Sequence, residues 1–506
     1  MDVRTGDSIG VLPGEQYAAL AARLKGTLVL PGQGEWERAR RPWQLLVDQQ
    51  PAAVVEALDA ADVVETVVAA RRLGLGVAPQ GTGHAAGALG ALGDVILLRT
   101  QGLDEIEIDP VEKTARVGAG ALWADVIARA AEHGLTAVAG MAPGVGVTGF
   151  LLGGGLGWLA RSHGLGADSI LSMEVVDARG RVLTVDPQQN GELLWAARGG
   201  MLPAIVTSVR IRLHEVPSLH AGALMWPLDR AVEVAHAWRE WIATVPDTVT
   251  SLVRVLRFPP LPEIPEPLRG RSFVAVEAAV QADPEAASSL LAPLRSLAPE
   301  ADSFRDLGPT ELGAVHGDPV DPAPALGESV LLAEITADAV DAMLDVVLGP
   351  LGSSLVSVEL RHLGGALRPG GRAGALAGIE GEGLVYAVGI VPVPELAEPV
   401  QAATEALVAG MAEFASCRQV KTFAERPARA DALYGEAADR IRQLASEWDG
   451  EGLIRLGHAL GAVSPATGVH EPGSGLGGLT RPGREEGGIR LRPRRGLGSA
   501  TNLDPC

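Results

Sequence analysis

Two glycine-rich segments constrain this chain more than anything else in its 506 residues. The first, PQGTGHAAG, runs from Pro79 to Gly87 directly after a strand-like GVAP; the second, PGVGVTGFLLGGGLG, runs from Pro143 to Gly157. Closely spaced glycines work against a continuous helix. They also let successive backbone N–H groups converge on an anion such as a pyrophosphate with no side chain in the way. Nothing bulky can be stacked on either segment, so a flat ligand or another backbone can lie close. With 64 glycines and only 4% aromatic residues, backbone more than rings must supply ligand contacts.

Within the second segment, GVGVTG (144–149) fits G-x-G-x-x-G, and Asp168 lies about 20 residues further on, as a Rossmann dinucleotide site requires. That fingerprint needs a strand before it and a long helix after it. Pro143 stands immediately before the motif, and the three glycines Gly153, Gly154 and Gly155 would break the required helix, so the motif is read as something other than a Rossmann turn. No second nucleotide motif survives the same test, which counts against a nicotinamide-dependent reductase.

Composition narrows the partners. The 42 basic and 62 acidic residues leave a formal charge of −20, which disfavours nucleic acid and anionic membrane surfaces as partners. Two cysteines, Cys417 and Cys506, exclude a disulfide scaffold and all but exclude a cysteine-built metal site; a reducing cytoplasm fits. No metal site is expected. The N-terminus shows no secretory pattern, and the most apolar stretch, Val145 to Leu159, holds six glycines and is too short to span a bilayer. The chain reads as a soluble cytoplasmic protein.

Periodicity gives an α+β pattern. AAVVEAL, a helix from Asp62 to Leu73, GVAP and DVILLRT alternate over residues 51–100; EIEID and TARVGAG form a hairpin, and after it comes a helix from Leu122 to His133. SMEVVDARGRVLTVD and IVTSVRIRLHEV read as antiparallel strands. The texture changes near residue 216. Helices (Ala231 to Ile242, Pro284 to Leu297, Ala339 to Leu348) then alternate with strands (SFVAVEAAV, LVSVELRHL, LVYAVGIVP), and a proline-rich loop over 259–267 belongs on the surface. This predicts a second domain with an antiparallel sheet and helices on one side. The last 43 residues, with ten glycines and five prolines, read as a disordered tail.

The order PGQGEWERARRPWQ, GTGHAAG, GMAPGVGVTGFLLGGGLGWLARSHGLGADSI, EVVDARGRVLTVD and LLWAARGG resembles FAD-linked oxidoreductases of the PCMH type, in the berberine-bridge-enzyme-like branch. The similarity runs from about Pro31 to about His458. It implies an FAD-binding domain of two α+β subdomains over residues 1–215, an inserted substrate domain over 216–415, and a C-terminal segment over 416–463 that returns to the FAD domain, with the tail over 464–506. It implies FAD as cofactor, a small alcohol, sugar or amine as substrate, and molecular oxygen as acceptor.

The resemblance also assigns residues. Gln80, Gly81, Thr82 and Gly83, with Gly87 closing the loop, would hold the pyrophosphate. His84 matches the histidine that bonds covalently to the 8α-methyl of the flavin. Pro143, Gly144, Val145, Gly146, Val147, Gly149, Gly153, Gly154 and Gly155 would line the cofactor, Val206 would lie near its adenine part, and His458, in the closing segment, would also contact the cofactor. Ala142 stands where bicovalent members carry cysteine, so any link would run through His84 alone. RGGMLPAIVT (198–207) departs from the family's glycine run, with Met201 to Ala204 in its place; this is the segment expected to alter the ring pocket. For the base that takes a substrate proton, the candidates on the substrate sheet are Tyr386 and Glu359. Alternation puts Glu359 and Arg361 on one strand face and His362 on the other. Glu359 and Arg361 are expected to form a cross-strand ion pair if they are structural, and Tyr386 to be core. His316 reads as a loop residue and His163 as a packing residue.

Overall fold

The computed structural model describes residues 13–460, apart from 91, 217, 371, 372 and 459. The tail expected over 464–506, with Cys506, lies outside the described residues.

The first sheet is mixed. Its strands Ala53–Glu56, Val95–Arg99 and Gly76–Gln80 run parallel in that spatial order, and Thr27–Val29 adds antiparallel at the edge. Burial on both faces explains the unbroken apolar run of Val95 to Leu98. The helix Ala60–Leu73 starts where the Asp59 side chain accepts from the Asp62 amide and ends where Gly74 turns left-handed at φ 68°. It packs Val63, Val67 and Ala70 against this sheet. The closing segment completes the layer: Val77 donates to the Leu453 carbonyl at 2.7 Å and accepts from Arg455 at 2.8 Å.

The second sheet is five-stranded and antiparallel, in the order Ile106–Asp109, Thr114–Gly118, Ala204–Arg212, Ile170–Asp177, Val182–Val185. The third sheet is antiparallel throughout. Its six long strands lie in the order His220–Pro227, Ser272–Val280, Val249–Arg257, Ser357–His362, Gly383–Ile390, Ala325–Leu332, and two short pieces pair with the first of them.

Alternation along this third sheet is strict. Val253, Val255, Val276, Ala278, Val358, Leu360, Val385 and Ala387 face the helices Ala231–Ile242, Pro284–Arg295, Ala337–Leu348 and Ala397–Gly410, around Trp226 and Trp238. The intervening positions carry Arg254, Glu277, Glu359, Arg361 and Tyr386. This second face meets the glycine-rich half of the molecule, where Leu252 and Ala279 pack with Met141 and Trp158.

Candidate active site

The first glycine segment leaves the strand Gly76–Gln80 and turns at once. Gln80 is buried, and its amide is matched head to tail with that of Gln49, at 2.8 and 3.1 Å. Its side chain is thus engaged with Gln49. Gly83 sits at φ 86°, where a Cβ would stand 2.7 Å from Pro42 Cβ, so glycine is required. Trp43 is fixed by donating to the Thr82 carbonyl at 2.9 Å, and its ring stacks on His84 with centroids 4.3 Å apart. Thr82 Oγ1 lies 2.7 Å from His84 Nδ1. Burial pushes the imidazole down to about 4, so it is neutral at physiological pH.

The second segment begins as a turn pinned across the start of the helix Trp123–Ala131 and runs directly into the short helix Val147–Leu152. Ala124 donates to the Pro143 carbonyl at 2.9 Å, Trp123 to Val145 at 3.1 Å, and Val147 to Ala121 at 3.0 Å. The two segments meet where a Cβ on Gly146 would lie 3.9 Å from Thr82. Gly154 and Gly155 take φ values of 99° and 78°. Gly155 donates to Thr422 Oγ1 at 3.3 Å, and that hydroxyl donates to the Gly153 carbonyl at 2.9 Å. A shallow cleft with room for little more than a water molecule opens beside Gly153 and Gly154, lined by Leu331, Leu376, Gln419 and Thr422 among others.

Met201, expected to alter the ring pocket, is buried in an apolar cluster with Ala375, Leu433 and Tyr434, and Leu202 joins the core around Phe150. Val206 is buried mid-strand beside Val175. His458 is buried and accepts from the Ala428 amide at 3.3 Å, while neighbouring Gly457 lies against Ala88, just after the first glycine segment.

Opposite these segments, register places Arg254, Glu359, Tyr386 and Ser329 directly beside one another on four adjacent strands. Three readings from sequence need correction here. The Glu359 and Arg361 pair is formed within one strand, because residues two apart share a face: Arg361 Nε donates to Glu359 Oε1 at 2.7 Å. Tyr386 is more than core packing, since its hydroxyl donates to Glu425. His316 is not a loop residue. It ends the short helix Gly313–His316, 7% exposed, inside a charged cluster. There Arg254 donates to Glu277 Oε1 at 3.2 Å and Ser357 Oγ at 2.7 Å, and Glu277 Oε2 lies 2.6 Å from His316 Nδ1. Burial raises the Glu277 carboxyl and lowers His316 to about 4. His163 does pack: its ring meets that of His214 edge-on at 4.3 Å.

Arg254, Glu277 and Glu425 were not singled out from sequence. The first two carried a signal, a charge set between apolar neighbours inside a strand (LVRVL, FVAVEAAV). Glu425 carried none, because it belongs to an irregular stretch brought to the sheet only by tertiary packing.

Comparison with known proteins bears on this arrangement. Residues 51–186 match the FAD binding domain family. Over 205 residues the chain is 33% identical to (R)-6-hydroxynicotine oxidase of Paenarthrobacter nicotinovorans, covering 40% of this chain and 45% of that one. Over 219 residues it is 31% identical to berberine bridge enzyme-like 23 of Arabidopsis thaliana, covering 41% and 40%. The chain thus spans about half the length, or less, of these curated relatives. Among solved structures, BBE-like 1 of Physcomitrella patens superimposes with a TM-score of 0.77 at 21% identity, covering 88% of this chain and 99% of that one. The 6-hydroxy-D-nicotine oxidase of Arthrobacter nicotinovorans gives 0.73 at 24%, covering 87% and 98%. The fold is that of the berberine-bridge-like, PCMH-type flavoproteins, an α+β fold. The chain carries an FAD-binding domain.

The residues present fit that cofactor along both segments. No atom stands within 4 Å of where a Cβ would project from Gly144 or Gly149, and at Gly81 and Gly146 only ordinary contacts are met. Thr148 Oγ1, at the head of the helix Val147–Leu152, is buried without a hydrogen-bond partner. Among the described residues no helix is long and apolar enough to cross a membrane, and no cluster of three metal-ligating side chains occurs.

Proposed function

We propose that this protein is an FAD-dependent oxidoreductase working as an oxidase: it takes a hydride equivalent from a small alcohol, sugar or amine and returns the electrons to oxygen. One observation carries the reading. Thr148 Oγ1, Trp158 Nε1, Thr250 Oγ1, Glu359 Oε2 and His362 Nδ1 are all buried without a hydrogen-bond partner, and all lie on or beside the seam between the second glycine segment and the polar face of the third sheet. Leaving such a group unsatisfied costs about 1–3 kcal/mol each. A folded chain keeps several together where a ligand or water supplies the missing partners.

The geometry supports the following roles. Glu359 Oε1 is held by Arg361, while Oε2 is free to accept. The Tyr386 proton is committed to Glu425. Glu359 is therefore the base that takes the substrate O–H or N–H proton, and Tyr386 orients the substrate beside it. When bound, FAD supplies the hydride acceptor. The amides from Gly81 to Gly83 and those of Gly144 and Gly146 would hold its phosphates; the Val145 amide is already given to the Ala142 carbonyl at 3.3 Å. Neutral His84, steadied by Trp43 and Thr82, keeps a nitrogen lone pair for a single covalent link. The domain limits of 1–215, 216–415 and 416–463 go with this reading, as does a reducing cytoplasm.

Purified protein is expected to be yellow, and acid precipitation to leave the colour in the pellet, whereas His84→Ala should release it to the supernatant. Anaerobic mixing with 6-hydroxynicotine, xylobiose, chitobiose and simple secondary alcohols should bleach the flavin with at least one of them, and air should restore the colour. Colourless protein would overturn the reading. A second reading, flavin held without turnover, is favoured by Ala375 against Gly199 and Leu376 against Gly154, which cover part of the glycine surface. It predicts colour that dithionite bleaches and no substrate does.

A further inference from the structure

His316 lies between the two halves of the site. Its helix rests on the second glycine segment, where a Cβ on Gly313 would stand 2.9 Å from Pro143 Cγ and Cδ. Its ring meets Trp158 edge-on at 6.3 Å. Every charged group around it is accounted for. On the sheet side are Glu277, Arg254, Glu359 and, through Glu359, Arg361; on its own loop is Asp318.

The contacts favour one protonation of the ring. Nδ1 is 2.6 Å from Glu277 Oε2, a separation two acceptors cannot share without a proton between them. Arg254 Nη1 also stands 3.1 Å from Nδ1, but its two hydrogens go to Glu277 Oε1 at 3.2 Å and the His316 carbonyl at 2.9 Å. The ion pair with Arg254 favours the Glu277 carboxylate; the shared proton is therefore assigned to Nδ1, which leaves the lone pair of a neutral imidazole on Nε2. That lone pair stands 3.4 Å from Glu359 Oε2 and 3.5 Å from Asp318 Oδ1. The same Glu359 oxygen is the buried one with no hydrogen-bond partner. Glu359 is 1% exposed, whereas Asp318 is half-buried and two residues from the exposed Val320. A base with an open lone pair therefore stands between a sealed carboxylate and one that reaches solvent. Both separations lie just beyond hydrogen-bond length, as expected before substrate closes the site. Burial, and then Arg254, push the imidazole down to about 4, so a proton arriving on it is readily passed on.

We propose that His316 and Asp318 form the exit through which a proton taken up at Glu359 reaches water. The inference rests on Glu359 acting as the base. As substrate C–H and O–H (or N–H) bonds break, two electrons and one hydrogen leave as hydride for the flavin, and the remaining proton bonds to Glu359 Oε2. That proton passes to His316 Nε2, forming an imidazolium flanked by Glu277, then to Asp318 and solvent; no electrons move along this path. His316 acts through Glu359 as a positioning and proton-accepting residue and does not touch the substrate.

The arrangement belongs to the resting protein, so it can be read without a substrate. In full-length, FAD-loaded protein labelled with nitrogen-15 histidine, His316 should appear as the Nδ1–H tautomer from pH 6 to 8. Glu359→Gln and the half-exposed Asp318→Asn should each shift its Nε2 resonance and move its titration to lower pH, since each removes a neighbouring carboxylate. An Nε2–H tautomer, or an Nε2 signal unmoved by either variant, would overturn the proposal. With any compound that bleaches the flavin, Asp318→Asn should delay proton release to a pH dye by about tenfold while the first bleaching keeps its rate, and added imidazole should restore the release; synchronous release in the variant would also overturn it. If no compound bleaches the flavin, the oxidase reading fails by itself, and the tautomer result still decides whether the proton path is built.

Discussion

Glu425 accepts a hydrogen bond from the Tyr386 hydroxyl across 39 residues of chain, and its other oxygen accepts from the Gly327 amide at 3.1 Å. One carboxyl thus ties the closing segment to two strands of the substrate sheet, while its backbone carbonyl lies against Gly87 of the first glycine segment. Burial, ahead of the neighbouring charges, raises the Glu425 pKa. An acid whose folded pKa is raised adds stability that is full below the ordinary carboxyl value and is lost as pH climbs through the folded one. Glu425→Gln carries no such dependence. Relative to wild type, its urea midpoint should rise as pH goes from 4.5 to 8, whereas Glu425→Ala, which strands the Tyr386 hydroxyl, should cost about 1–3 kcal/mol throughout. A constant gap between wild type and the glutamine variant would refute the assignment.

Gly83 combines a left-handed backbone with contact against Pro42. Alanine there must both adopt φ near 86° and push the proline away, a strain of about 1–3 kcal/mol before any repacking. Because Pro42 precedes the tryptophan that stacks on His84, the displacement passes directly to the histidine. Gly83→Ala should lower the thermal midpoint and leave less flavin in the acid pellet. Gly144→Ala, with open space for its Cβ, should leave the thermal midpoint unchanged and weaken only flavin retention.

The fold was legible in the sequence wherever one periodicity ruled. The helix Ala231–Ile242 and the strand Ser272–Val280 stand where the pattern placed them, because apolar spacing and burial agree there. What escaped was set by contacts distant in sequence. His316 looks like a loop residue in VHGDPVDP, yet Arg254 and Glu277, on strands 62 and 39 residues away, draw it into a buried cluster. Glu359 and Arg361 were recognised together, but spacing two apart made them partners on one strand where a cross-strand pair was expected. The glycine segments were visible at once, being local in cause. The segment covering part of them, Ala375 to Leu376, has no mark in the sequence.

Met201 interrupts a glycine run, which suggested a side chain thrust toward the cofactor. It is buried among Ala375, Ala430, Leu433 and Tyr434 instead, and Tyr434 closes the turn by donating to the Gly200 carbonyl at 3.2 Å. The residue has thus become a core side chain that anchors the closing segment. Met201→Ala should destabilise the protein by about 2–5 kcal/mol, as a buried cavity does, without accelerating flavin bleaching. Wild-type stability with faster bleaching would mean that Met201 does shield the ring site.

Glu359 offers the sharpest test of chemistry. Its carboxylate is sealed at 1% exposure, with Arg361 bound to one oxygen and nothing bound to the other. Glutamine preserves shape and can still accept from Arg361, but it cannot take up a proton. If Glu359 is the base, Glu359→Gln should slow anaerobic bleaching by substrate about 10²–10⁴-fold, the usual worth of a positioned general base. Dithionite, which needs no substrate proton removed, should bleach the variant at the wild-type rate, and the colour yield should be unchanged. Tyr386→Phe should produce a smaller loss, concentrated in KM, because its proton is already given to Glu425. The reverse ranking, with kcat collapsing in Tyr386→Phe and barely moving in Glu359→Gln, would transfer the role of base to the tyrosine and with it the direction in which protons leave the site.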